Sequence, residues 1–173
     1  MVISNLRIPV MNRFTCSPRQ LPFFITNIRK KQMLPIIDNV NENGKNHTNN
    51  LRNIRQDIET YPMNTFAIKL SSLNIRDANN DNNKLIDDVL ELGELVREHD
   101  SKLIIDAEEE AINGKIIEVS DMLMELFNKD NVTVYKTYQM YRRDTTSMLL
   151  DDLKKERDYY VGVKLVRGAY YNL

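Results

Sequence analysis

Cysteine is nearly missing from the sequence: Cys16 is the single one in 173 residues. An internal disulfide framework is thereby excluded, and a reducing compartment suits the chain. Histidine is almost as scarce. His47 and His99 have no partner at ligand spacing, so no metal site is expected. No apolar run approaches the ~18 residues needed to span a bilayer. An excess of one charge is also lacking, since 24 Lys and Arg against 25 Asp and Glu leave a net charge of -1. That balance argues against a nucleic-acid surface. What remains is a chain long enough for one domain with a real core.

One absence is local. No acidic residue precedes Asp38, whereas residues 1–32 carry Arg7, Arg13, Arg19, Arg29, Lys30 and Lys31. A basic, hydroxyl-bearing segment free of acid has the composition of a mitochondrial targeting peptide. The plainer alternative is a terminus that happens to be basic. Pro9, Pro18 and Pro22 would interrupt a long amphipathic helix there. The expected division is a basic N-terminal segment, residues 1–32, followed by one domain, residues 33–173.

Within that domain, two asparagine-rich stretches, residues 39–53 and 74–83, read as solvated loops. Short apolar runs recur between and after them, at residues 33–37, 66–70 (FAIKL), 102–107 (KLIIDA), 132–138 (VTVYKTY) and 161–166. Each is rich in β-branched, aliphatic or aromatic types and has the length of a buried strand. The segments between have helical period. Leu85, Ile86, Val89, Leu92 and Val96 recur at threes and fours, with Asn83 as N-cap. Ile116, Val119, Leu123 and Leu126 repeat the pattern, and Leu149, Leu150 and Leu153 mark a third helix starting at Thr145 or Thr146.

A strand about every 30 residues is the spacing of βαβ units. Such a succession predicts a parallel sheet with outer helices. The glycine-rich turns GxGxxG and GxxxxGKS of open nucleotide-binding sheets are absent. The fold expected is α/β, either an open doubly wound sheet or, as the sharper statement, a partial (β/α)8 TIM-type barrel of about five parallel strands. Functional residues should then sit at the C-terminal strand ends.

Charged residues stand at those ends: Lys69 in FAIKL, Asp106 after LII, Lys136 in VTVYK, then Lys164 and Arg167. Burying one unpaired charge costs several kcal/mol. A cation or carboxylate in each of four successive strands therefore predicts one charged layer around a ligand. Each alone reads equally well as an edge residue reaching solvent. Glu108, Glu109 and Glu110 read as first-turn carboxylates complementing a helix dipole. Tyr135, Tyr138 and Tyr141 read as packing. Gly168 and Ala169 would let a flat ligand approach the backbone, with Tyr170 at its border.

FAIKLSSL, LIIDAEEEA, TYQMY and KLVRGAY, in this order, resemble proline dehydrogenase of the mitochondrial, fungal type. MLPIID, residues 33–38, weakly resembles that family's first barrel strand. The resemblance runs from about Met33 onward and implies a distorted (β/α)8 barrel holding FAD at its C-terminal rim. It implies oxidation of L-proline to Δ1-pyrroline-5-carboxylate, with ubiquinone as acceptor at the matrix side of the mitochondrial inner membrane. By position, Lys69 matches the lysine that pairs with the proline carboxylate, and Asp106 the active-site aspartate. Ile105 matches a residue touching FAD, Lys136 a flavin-side amide, and Lys164 the basic residue near flavin N5. Arg167, Gly168, Ala169 and Tyr170 match the FAD-binding loop.

Eight strands and ~250 residues make such a barrel, so about five strands lead to the expectation of an incomplete one. The alternative is a non-catalytic remnant, or a split-enzyme half completed by a partner chain, whose edge strand serves as an interaction surface. A barrel enzyme for a phosphorylated substrate is the third and weakest reading.

Overall fold

The computed structural model describes residues 15–38, 47–73, 75 and 82–168. Residues 1–35 and residues 36–173 form two compact units. In the first, a 3-10 turn, Pro18–Gln20, leads into helix α1, Leu21–Lys30. Pro22 lies in the first turn of α1, where a missing N–H breaks no intrahelical bond. Among the described residues no longer helix runs through Pro22, which sits at the start of α1. Pro9 lies outside the described residues.

The second unit is a five-stranded parallel sheet in the order β1-β2-β3-β4-β5. Its strands are β1 (Ile36–Asp38), β2 (Thr65–Ile68), β3 (Lys102–Ile105), β4 (Val134–Gln139) and β5 (Val163–Val166). The connecting helices are α2 (His47–Thr60), α3 (Asn82–Glu98), α4 (Glu110–Phe127) and α5 (Thr145–Lys154). Each strand pairs with the one before it in sequence, so the sheet is an arc of a (β/α)8-type barrel. Leu85, Val89, Leu92 and Val96 of α3, with Ile116, Val119, Leu123 and Phe127 of α4, are buried. Full burial of each is worth about 1.5–3 kcal/mol.

Three expectations need correction. Residues 47–53 are not loop but the start of α2. Leu51, Ile54 and Ile58, all buried, form a helical stripe whose packing outweighs the low helix propensity of asparagine. Asn83 lies inside α3, which begins at Asn82. Glu108 precedes α4, whose N-cap is Glu109, so it does not complement a helix dipole. Most of the second asparagine-rich stretch lies outside the described residues.

Gly162, just before β5, lies close against β4. A Cβ there would lie 2.1 Å from the Val134 carbonyl oxygen and 2.8 Å from Val132 Cγ1. The Gly162 carbonyl also accepts the Lys136 N–H at 2.9 Å. The obstacle is backbone and cannot rotate away, so the strands must part. Gly162→Ala is expected to cost about 3 kcal/mol, the upper end for overpacking. A urea midpoint unchanged from that of the parent would refute this.

Candidate functional site

In a strand, successive side chains point to opposite faces. Lys136 marks the helix side of the sheet. Its ammonium lies 2.6 Å from both Asp121 of α4 and Asp152 of α5, and the residue is only 2% exposed. By alternation, Tyr135, Thr137 and Gln139 face the interior of the arc. Thr137 is register partner to Lys164, and Ile105 to Lys136. Extending the β2–β3 and β3–β4 registers by one residue puts Lys69 level with Asp106, and Asp106 level with Thr137. Lys69, Asp106, Thr137 and Lys164 thus form one interior layer at the C-terminal ends of four strands.

Asp106 and Lys164 meet in that layer. The Lys164 Nζ donates to Asp106 Oδ1 at 2.5 Å, and both side chains are partly buried. Such charge-assisted bonds are the stronger kind. The Asp106 N–H donates to the Ile68 carbonyl at 2.9 Å, fixing the exit of β3 against that of β2. Lys69, directly after β2, has its carbonyl held by the Ser72 N–H at 3.0 Å and the Ser72 hydroxyl at 2.7 Å.

Two of the expected site residues do not join them. Lys136 and Ile105 stand on the opposite face, Lys136 in an ion cluster and Ile105 fully buried. A charge in every strand suggested one layer, but Lys136 is one residue out of phase with Thr137. Arg167 is exposed just beyond β5, its carbonyl accepting the Tyr141 N–H at 2.9 Å. Gly168 has φ +106, and a Cβ there would lie 2.0 Å from the Tyr141 ring, so glycine is required twice over. Ala169 and Tyr170 lie outside the described residues.

The interior layer holds residues that the charge pattern did not single out. Thr137 Oγ1 and Gln139 Oε1 are buried without a hydrogen-bond partner among the described residues. Buried polar atoms are rarely left so, and two on one face offer hydrogen bonds to a ligand. The signal was present in TYQMY: Thr137 and Gln139 are two apart and share a face. Cations, a carboxylate and two unmet oxygens together suit a flat, polar, partly anionic ligand. No group of three or more His, Cys, Asp or Glu that could hold a metal occurs among the described residues.

On the helix side, Asp152 receives Lys136 at 2.6 Å, the Tyr138 hydroxyl at 2.7 Å and Arg157 at 2.8 Å. Burial is the largest single influence on Asp152 and opposes its ionisation. The bonds from Lys136 and Tyr138, with the Lys136 and Arg157 charges, outweigh it and hold the carboxyl below its usual range. Burial first, then the bond to Asp152, pushes the Tyr138 phenol well up.

The signs differ. The Asp152 contribution to stability is present above the unfolded carboxyl pKa of about 3.9 and lost as pH falls through the lower folded value. The Tyr138 contribution is present below the unfolded phenol pKa of about 10 and lost as pH rises toward the folded value. Tyr138→Phe should therefore flatten the alkaline limb of a stability–pH curve and Asp152→Asn the acid limb. Unchanged limbs in both variants would contradict the assignment.

A sequential parallel arc with its interior polar groups gathered at the C-terminal strand ends is the architecture of a (β/α)8-type barrel. Comparison with known proteins sharpens this. The family model described as proline dehydrogenase matches residues 26–172. Proline dehydrogenase 1, mitochondrial, of Drosophila melanogaster is 38% identical over 73 residues, 41% of this chain and 11% of the fly protein. Probable proline dehydrogenase, mitochondrial, of Schizosaccharomyces pombe is 35% identical over 83 residues, 47% of this chain and 17% of the yeast protein. The crystal structure of proline utilization A from Bdellovibrio bacteriovorus, inactivated by N-propargylglycine, superposes with a TM-score of 0.69. It is 21% identical and covers 89% of this chain and 19% of that one, a likeness of fold. The chain belongs to the proline dehydrogenase family. It spans less than a fifth of these relatives' own lengths.

Proposed function

We propose that the interior layer serves FAD-dependent oxidation of L-proline to Δ1-pyrroline-5-carboxylate, with ubiquinone as the electron acceptor. The observation that carries this reading is the Asp106–Lys164 pair, set level with Lys69 and Thr137 in a chain of this family. When bound, FAD supplies the two-electron acceptor. Its ring system offers both a donor N–H and acceptor atoms, which suits the unmet oxygens of Thr137 and Gln139.

Within this reading Lys69 binds the proline carboxylate. Lys164 presents its ammonium to the flavin side, where preorganised charge stabilises developing negative charge. Asp106 orients Lys164 and balances the lysines. The surrounding positive charge favours the neutral amine of proline, from which hydride departs more readily. The reaction removes one hydride from the ring carbon beside nitrogen and one proton from nitrogen. Gly168, Ala169 and Tyr170 border the flavin, and Arg167 flanks them. Relatives named mitochondrial support a mitochondrial location, and the matrix side of the inner membrane is proposed with it.

The test is direct. Purified chain supplied with FAD should retain it, and anaerobic proline should bleach the visible flavin band. Lys164→Met should slow proline-dependent dye reduction by about 10²–10³-fold, the scale for loss of one preorganised charge donor. Absence of retained flavin and of proline-dependent reduction would sink the reading. Leu165, 57% exposed on the helix side of edge strand β5, favours a second reading, in which another polypeptide docks there. Turnover by the isolated chain would exclude the need for it.

A further inference from the structure

Glu108 is a carboxylate with only 3% exposure, outside the charged layer yet next to it. Both its oxygens are used. Oε1 accepts the Ser71 N–H at 2.9 Å, and Oε2 accepts the Ser71 hydroxyl in a very short bond. Its backbone carbonyl accepts Gln139 Nε2 at 3.1 Å. One residue in the loop after β3 thereby grips the 3-10 turn after β2 and the last residue of β4. A buried carboxylate is tolerated only where hydrogen bonds replace its water, so this contact is costly to rearrange.

Each gripped point carries a member of the site. Ser71 lies two residues after Lys69, in the turn Leu70–Leu73. That turn is pinned from its other end as well, since the Ser72 carbonyl lies 2.9 Å from His47 Nδ1 and accepts Asn50 Nδ2 at 3.2 Å. Glu108 lies two residues after Asp106. Gln139, with its Nε2 taken by Glu108, has Oε1 left as the unmet acceptor. Nothing in the Glu108 contacts neutralises charge, and a first-turn dipole role is excluded by its place before α4.

We infer that Glu108 is a positioning residue. By holding Ser71 with its carboxylate and Gln139 with its carbonyl, it sets the spacing of Lys69, Asp106 and the Gln139 acceptor. The consequence for catalysis rests on the proline and FAD reading above; the coupling of the three strand exits does not. Small displacements of positioned groups cost much in rate, up to about 10²-fold per ångström.

The experiment has two arms, with Glu108→Leu and Glu108→Gln and with Ser71→Ala as the milder variant should the leucine fail to fold. In the flavin-free chain, Glu108→Leu should speed amide hydrogen exchange at Ser71 and Asp106, and Ser71→Ala should speed it at Asp106. Either variant should also shift the Gln139 side-chain amide resonances, while those of Asn128 stay in place. In the FAD-loaded chain, Glu108→Leu should lower kcat/KM for proline about tenfold or more, with Glu108→Gln restoring most of it. Unchanged exchange at Ser71 and Asp106 would overturn the inference. So would equal acceleration at Asn128, which would mark a merely global loss of stability. Retained coupling with no flavin uptake by the parent chain would refute the catalytic reading and leave the coupling established.

Discussion

Asn128→Ala is expected to remove about 3–6 kcal/mol of stability. Asn128 is fully buried directly after α4, and its amide makes four hydrogen bonds to backbone. Oδ1 accepts the N–H groups of Thr133 at 2.9 Å and Val134 at 2.7 Å. Nδ2 donates to the carbonyls of Val134 and Tyr160, both at 2.9 Å. One side chain therefore ties the end of α4, the start of β4 and the approach to β5. Truncation strands those four groups, and each buried unmet group costs about 1–3 kcal/mol. Tyr160 is exposed and its carbonyl can turn to water, so three groups bear most of the loss. Against a total stability of about 5–15 kcal/mol, the variant is marginal or unfolded.

Asn128→Asp separates this account from simple packing loss. The aspartate keeps the two acceptor bonds but aims a charged oxygen at two carbonyls. Its folded-state pKa is expected above the unfolded value, so the variant should regain stability as pH falls and the protonated oxygen can donate. Urea midpoints followed by circular dichroism at neutral and mildly acid pH would measure this. A loss below about 1 kcal/mol in Asn128→Ala, the size of a single net hydrogen bond, would contradict it.

The second large effect concerns Asp152. It receives Lys136, Tyr138 and Arg157, and its backbone carbonyl also receives Arg157. Asp152→Leu leaves Lys136 beside Asp121 alone, and removing one partner of a buried pair costs about 3–5 kcal/mol. Lys136→Met should cost less, about 3 kcal/mol, because Asp152 retains Arg157 and the Tyr138 hydroxyl. Asp121 is 42% exposed, so Asp121→Asn should cost under about 1 kcal/mol. The order of the three losses is the test. If Asp121→Asn proved the most damaging, Asp152 would not be the centre of the cluster.

This cluster also shows where reading residues in line reached its limit. Lys136 carries the same charge as Lys69 and Lys164 and stands in the same kind of apolar run. Alternation was legible, but its phase was not. In a parallel sheet both faces are largely covered, so neither face of β4 announces itself by polarity. Only the register with β3 and β5, and the carboxylates supplied by α4 and α5, put Lys136 outward and Thr137 and Gln139 inward. Glu108 shows the same limit. Three consecutive glutamates look like a helix start, and the helix does start there, but only at the third, two residues too late to include the first.

The amino-acid sequence by itself determined the five strands, their spacing at one βα unit each, the periodic faces of α3 and α4, and the motifs that mark the family. These are properties of neighbours in the chain, set by side-chain period and local chemistry. The tertiary structure decided which charge meets which: Asp106 with Lys164 across 58 residues, Lys136 with the helices instead of the interior, and Asn128 and Glu108 as ties between loops. Those outcomes depend on strand register and on helices packing over one face, and no local pattern encodes a contact between segments before they are brought together.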